Sequence, residues 1–268
     1  MDKAFASEMA RIIQSTGDAF SAMMWRDGIQ CGMFELQIAR DIYRDWAKRT
    51  GHKMHKNLAR KFVEVQVLLL APITPHFCEH VWSNILGNKG AIAQAAWPKV
   101  GEMDLWTNRA YKFLMQCIKT FRGLQGKLST DYIKAKVVVE EKYVDWKEEV
   151  LLYLQSVIVD GQIPKDFMKG LKGITSARKM GKKESQGVMQ FASFLKEQYL
   201  TLGAQALETT LPFDQAEILK ENKAFMTSSL GLQDIEIFIT TDADCPKPEG
   251  KVKKAPDPGH PEIYFYKS

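Results

Sequence analysis

Lys165, Lys169, Lys172, Arg178, Lys179, Lys182 and Lys183 crowd into the stretch from Gly161 to Lys183 against one acid, Asp166, with Gly170, Gly173 and Gly181 interspersed. Such a segment attracts phosphates, because each phosphate neutralised by a lysine or arginine releases condensed counterions without any base being read. The plain alternative is a solvated lysine surface. A second candidate lies on a predicted helix, where Arg109, Lys112, Lys119 and Arg122 can track a ribose-phosphate backbone from near one face. Tyr111, Phe121 and Trp46 fall in apolar stripes and are expected in the core, so none is assigned to stacking on bases.

His76 and His80 stand four apart with Cys78 and Glu79 between them, a spacing that can offer two imidazoles to a metal. No third ligand stands nearby at a suitable spacing, so capping and packing are the expected roles and no metal is assigned. Cys31, Cys78, Cys117 and Cys245 are scattered without a CxxC pair, as expected of reduced thiols.

The chain has 268 residues, 45% apolar and 26% charged, which is ordinary for a soluble protein. A net charge of +5 permits an anionic partner without requiring one. The longest apolar stretch, Val67 to Ile73, contains Pro72 and falls far short of the ~18 residues that span a bilayer. Met1-Asp2-Lys3-Ala4-Phe5 has an early acid and no apolar run, unlike a secretory signal. A cytoplasmic chain without a membrane segment is expected.

Phe34, Ile38, Ile42 and Trp46 recur every four residues and predict an amphipathic helix from Met33 to Arg49, ended by Gly51. Leu58, Phe62, Val65 and Leu69 predict a second helix from near Lys56, broken by Pro72 and Pro75. Thr74 as N-cap and Pro75 open a third, to Leu86, and Tyr111, Leu114, Ile118 and Phe121 mark a fourth. With helical residues before Trp25, these form an antiparallel bundle.

After Gly126 the pattern changes. Val137-Val138-Val139 predict a strand from Lys134 to Tyr143, followed by helices at Trp146–Ile158, Gly187–Leu202 and Asp214–Ser229. Strands are expected again at Asp234–Thr241 and Glu262–Tyr266, and Cys245 to Pro261 reads as a flexible loop. The expected fold is mainly α: a helix bundle over residues 1–128, then a small α+β domain over residues 129–268.

Phe62-Val-Glu-Val-Gln-Val-Leu-Leu-Leu-Ala-Pro-Ile-Thr-Pro-His-Phe-Cys-Glu-His-Val-Trp82, with Trp97-Pro98 after it, resembles the anticodon-binding domain of class I synthetases for leucine, isoleucine, valine and methionine. Phe5-Ala-Ser-Glu-Met9 and Gly32-Met-Phe-Glu-Leu-Gln-Ile-Ala-Arg-Asp-Ile-Tyr-Arg44 are similar to the eukaryotic and archaeal leucyl-tRNA synthetases in particular. Pro258-Gly259-His260-Pro261 is similar to a proline-glycine turn of that family.

The resemblance implies a parent enzyme that ligates leucine to tRNA with ATP and Mg in a Rossmann catalytic domain bearing HIGH and KMSKS signatures. An inserted editing domain, a helical bundle and a small carboxy-terminal domain complete it, the last two touching tRNA. Neither signature is properly present here. Lys179-Met-Gly-Lys-Lys183 imitates KMSKS, yet it follows the bundle and has no dinucleotide fold around it.

The chain is therefore expected to be catalytically inactive alone and to hold no cofactor. It is expected to be a fragment, a split gene product or an incomplete gene model. tRNA(Leu), the catalytic part of the synthetase and other synthetases are the candidate partners. A stand-alone helical scaffold that docks proteins is the competing reading.

Overall fold

Small residues, more than large apolar ones, decide how the first helices meet. The computed structural model describes residues 1–128, 132–158, 162–164, 166–171, 182–246 and 256–267. It divides into one unit of Met1–Ser129 with Glu221–Gln233, and another of Thr130–Lys220 with Asp234–Ser268. In the first unit α1 (Asp2–Ser21) is followed by α2 (Trp25–Ile29), a π-helical stretch Gln30–Glu35 and α3 (Leu36–Thr50), all packed against α1.

Gly28 lies under the Phe20 ring, where an added Cβ would come within 2.1 Å of Cε1, and Gly32 lies against Thr16. The buried side is accordingly Gly28, Gly32, Leu36, Ala39, Tyr43 and Ala47. This corrects the apolar stripe expected on α3: Phe34 and Ile38 are 48% and 56% exposed, and Trp46 packs only at the edge of the core. A π-helical stretch inserts a residue into the helical repeat, and glycine lets two backbones approach more closely than phenylalanine does.

α4 (Lys56–Leu70) contributes Phe62, Val65 and Leu69 to a core with Phe5, Met9, Ile12, Ile13, Leu36 and Tyr43. Each such side chain stabilises the unit by about 1.5–3 kcal/mol when fully buried. The helix stops before Pro72, and Pro75 occupies the first turn of α5 (Pro75–His80), where its missing N–H leaves no bond unmade. A π-helical stretch Val81–Ile85 continues α5, and Cys78, Val81 and Ile92 close a smaller core on Val67 and Leu68. Asp104 caps α6 (Leu105–Gln125) by accepting the Thr107 N–H at 3.1 Å.

In the second unit β1 (Lys134–Val139) leads to α7 (Asp145–Val157), α8 (Phe167–Leu171), α9 (Lys182–Leu202) and α10 (Gln215–Glu221). Val150, Leu151 and Leu154 of α7 meet Phe167, Leu171, Val188, Phe191 and Leu195 in its helical core. α11 (Lys223–Leu230) belongs to the first unit, and β2 (Asp234–Ile239) and β3 (Glu262–Tyr266) complete a sheet ordered β2-β1-β3. β1 is parallel to β2, pairing Val137 with Ile237, and antiparallel to β3, pairing Val137 with Ile263.

The helix expected over Asp214–Ser229 is two helices, divided at Asn222. α11, which the sequence alone assigns to the second domain, packs on α3 and α6. Its last carbonyls are taken up there: Arg49 donates to Ser228 O at 2.8 Å, Arg122 to Ser229 O at 3.2 Å and Gln125 to Leu230 O at 3.0 Å. These are the groups that a helix end leaves without partners, and cations suit that end of the dipole.

The loop expected from Cys245 to Pro261 is also corrected at its far end. Asp257 is buried against Lys147, Tyr143 donates to Pro258 O at 3.3 Å, and Gln215 accepts the Gly259 N–H at 2.7 Å. A buried ammonium needs a counter-charge, and Asp257 supplies it.

Candidate nucleic-acid interface

Lys112, Gln116 and Lys119 follow one another on α6 at spacings of four and three, and all three are exposed. That line forms one face, opposite the buried Phe113, Leu114, Cys117, Ile118 and Phe121. Arg109 is half-buried. Arg122 lies about 60° round the helix from Lys119, and its guanidinium is engaged by α11. The structure thus brings Lys112 and Lys119 together as an exposed basic pair and gives Arg122 a structural bond.

The other basic segment is only partly described. Lys169 is exposed on α8. Lys165, Lys172, Arg178 and Lys179 lie outside the described residues, and Lys182 and Lys183 open α9 with side chains that also lie outside them.

His80 and Glu79 have local partners. His80 Nδ1 meets Asn84 Nδ2 at 2.9 Å, and His76 is exposed. Glu79 accepts from Ser83 Oγ and from the Ile92 N–H at 2.7 Å, bonds that lower its pKa. Among the described residues no group of three or more His, Cys, Asp or Glu side chains could hold a metal ion. Burial raises the thiol pKa of Cys31, Cys78, Cys117 and Cys245, which works against thiolate chemistry.

Inside the bundle, Arg11 is shared by Glu8 at 2.7 Å and Glu35 at 2.8 Å, joining α1 to the π-helical stretch. The bond that Arg11 donates to Glu8 drives the guanidinium pKa up, burial opposes it and Glu35 adds to it. Phe121 is fully buried and Trp46 packs against the core, while Trp25, Trp97 and Trp106 are the exposed tryptophans. Reading by charge also passes over Lys48–Lys61, which contains no acid at all.

No helix among the described residues is long and apolar enough to cross a membrane. The whole chain is 32% identical over 295 residues to the cytoplasmic leucine–tRNA ligase of Arabidopsis thaliana, covering 27% of that enzyme. With the cytoplasmic leucine–tRNA ligase of Pongo abelii it shares 30% over 277 residues, 98% of this chain and 23% of the relative. With the leucine–tRNA ligase of Methanothrix thermoacetophila it shares 26% over 273 residues, 99% of this chain and 26% of the relative. The chain spans about a quarter of the length of these curated relatives. The family described as the anticodon-binding domain of tRNA ligase matches residues 2–140, more than half of the chain. On that match, and with the helical unit it covers, the chain belongs to the anticodon-binding domain family of tRNA ligases.

Proposed function

We propose that this chain is a tRNA-holding part of a leucine–tRNA ligase. It grips tRNA(Leu) by shape and phosphate charge, while leucine activation with ATP and Mg and its transfer to tRNA run on a catalytic part encoded outside these residues. The observation that carries the reading is the reach of the similarity. The anticodon-binding description stops at residue 140, yet the likeness to leucine–tRNA ligases continues through the second unit. The exposed pair Lys112 and Lys119 and the basic stretch from Gly161 to Lys183 supply phosphate contacts of the kind that position an RNA without reading it. The catalytic part of the ligase is the natural protein partner, with other synthetases as further candidates.

The test is binding of labelled tRNA(Leu) by the purified chain across ~50–200 mM salt, with a leucine-dependent pyrophosphate-exchange assay beside it. Affinity that falls steeply with salt, and no exchange, is expected. Weak, salt-indifferent retention of tRNA together with stable capture of proteins would replace this reading by the docking scaffold.

A further inference from the structure

Lys48, Arg49, Lys53, Lys56, Arg60 and Lys61, with His52 and His55, occupy the fourteen residues Lys48–Lys61 without one carboxylate. They form the last turn of α3, its connection to α4 and the first turns of α4. Three of the cations are engaged: Arg49 by Asp45 at 2.7 Å and by Ser228, Arg60 by the Leu86 carbonyl at 2.7 Å, and Lys61 by Glu64 at 3.5 Å. Lys48, Lys53 and Lys56 are exposed, and no ion pair among the described residues engages them.

The backbone carrying these lysines is fixed from inside. Gly51 takes φ 74°, a left-handed conformation that ends α3 and that a side chain would disfavour. Phe5, Tyr43, Trp46 and His52 stack in a ladder from core to surface, with centroid spacings of 4.8, 6.1 and 5.0 Å. The Tyr43 hydroxyl accepts the His55 N–H at 2.9 Å and donates to Asp2 at 2.6 Å. Asp2 turns its carboxylate to the phenol.

We propose that this turn is a phosphate-backbone clamp for RNA, in which Lys48, Lys53 and Lys56 each neutralise a phosphate and no base is read. It rests on the reading of the chain as a tRNA holder and adds where on the bundle the RNA is gripped. Unpaired lysines on a preorganised backbone suit a polyanion, because little ordering is left to do on binding. A protein partner fits worse. The cores of protein interfaces are depleted of lysine and anchored by apolar or aromatic side chains, and no large apolar residue between Lys48 and Lys61 is strongly exposed.

The experiment uses the full chain with Lys48→Gln, Lys53→Gln and Lys56→Gln combined, beside a Lys112→Gln and Lys119→Gln variant, each titrated with tRNA(Leu) at several salt concentrations. The triple variant is expected to bind ~10–50-fold more weakly near 0.1 M salt, with a log K against log salt slope shallower by about 2–3, close to three lost phosphate contacts. Acetylation of the three lysines in the unmodified chain, mapped by mass spectrometry, should be suppressed by tRNA. An unchanged affinity and slope in a normally folded triple variant, or no protection, overturns the clamp. If the α6 variant alone loses affinity, the tRNA-holding reading stands and the clamp falls; if the unmodified chain shows no salt-dependent binding, both fall. A triple variant that keeps tRNA and loses a protein partner overturns the clamp in favour of a protein dock.

Discussion

Two turns in this chain are pinned by buried polar groups, and their charges point in opposite directions. At the α3–α4 connection the hub is the neutral phenol of Tyr43, and the lysines face solvent. At residues 256–261 the turn's charge points inward: Asp257 meets Lys147 of α7, their side chains only 7% and 12% exposed, and the turn is also held through Tyr143 and Gln215. A neutral hub can be lost for the value of a hydrogen bond. A charged one cannot, because its partner is left buried and uncompensated. The outward turn is therefore free to use its charge on a ligand, whereas the inward turn uses its charge on the fold.

The largest expected effect follows directly. Lys147→Ala should destabilise the second unit by about 3–5 kcal/mol, read from urea or thermal unfolding. Replacing both partners, Lys147→Met with Asp257→Leu, should recover most of that loss, since a well-packed apolar pair can stand in for a buried ion pair. A single-variant loss below ~1 kcal/mol would show that the ion pair does not hold the turn, and the contrast between the two turns would fail.

pH probes the same turn more gently. Burial, and then the nearby charge of Asp257, push the Tyr143 phenol up to about 12. The folded value lies above an unfolded value near ~10, so the neutral phenol's stabilisation is complete below that pH and is lost as pH rises towards 12. The loss is of order 2–3 kcal/mol. Denaturant midpoints followed from about pH 9 upward should fall across that window, and Tyr143→Phe should flatten the fall. An identical pH profile in the variant would remove Tyr143 from the account.

How much of this was legible in the sequence depended on range. Leu58, Phe62, Val65 and Leu69 state the α4 face openly, and the recurrence of Ile235, Ile237 and Ile239 marks β2, because both are periodic over neighbouring residues. The Gly28, Gly32, Ala39 and Ala47 contact face was not legible, since a search for the most apolar stripe ranks small residues low and selects Phe34 and Ile38 instead. The break at Asn222 falls within the polar run Lys220–Lys223, which the exposed face of one continuous helix would show equally well. In the candidate interface, Lys112 and Lys119 could be placed on one face by spacing alone, but the partner of Arg122 is a carbonyl 107 residues away. Lys147 and Asp257 are 110 residues apart, and no local pattern joins them. The run from Lys48 to Lys61 was visible as charge, yet Gly51 interrupts it and invites reading only as a helix stop.

The smallest effect is expected at the outward turn, and it tests the comparison from the other side. Tyr43→Phe keeps the ring in its stack between Phe5 and Trp46 and removes only the oxygen shared by His55 and Asp2. Asp2 and His55 are exposed residues, so both can turn to water, and the loss should stay near 1 kcal/mol. The change should also be local. Exchange of the His55 amide should quicken roughly fivefold, as about 1 kcal/mol requires, while the amides of Phe62 and Val65 in α4 keep their protection. A loss as large as that expected for Lys147→Ala would mean that Tyr43 holds the whole bundle rather than one turn. The rigidity assigned to the lysine-bearing backbone would then be a property of the core, and the two turns would no longer differ in kind.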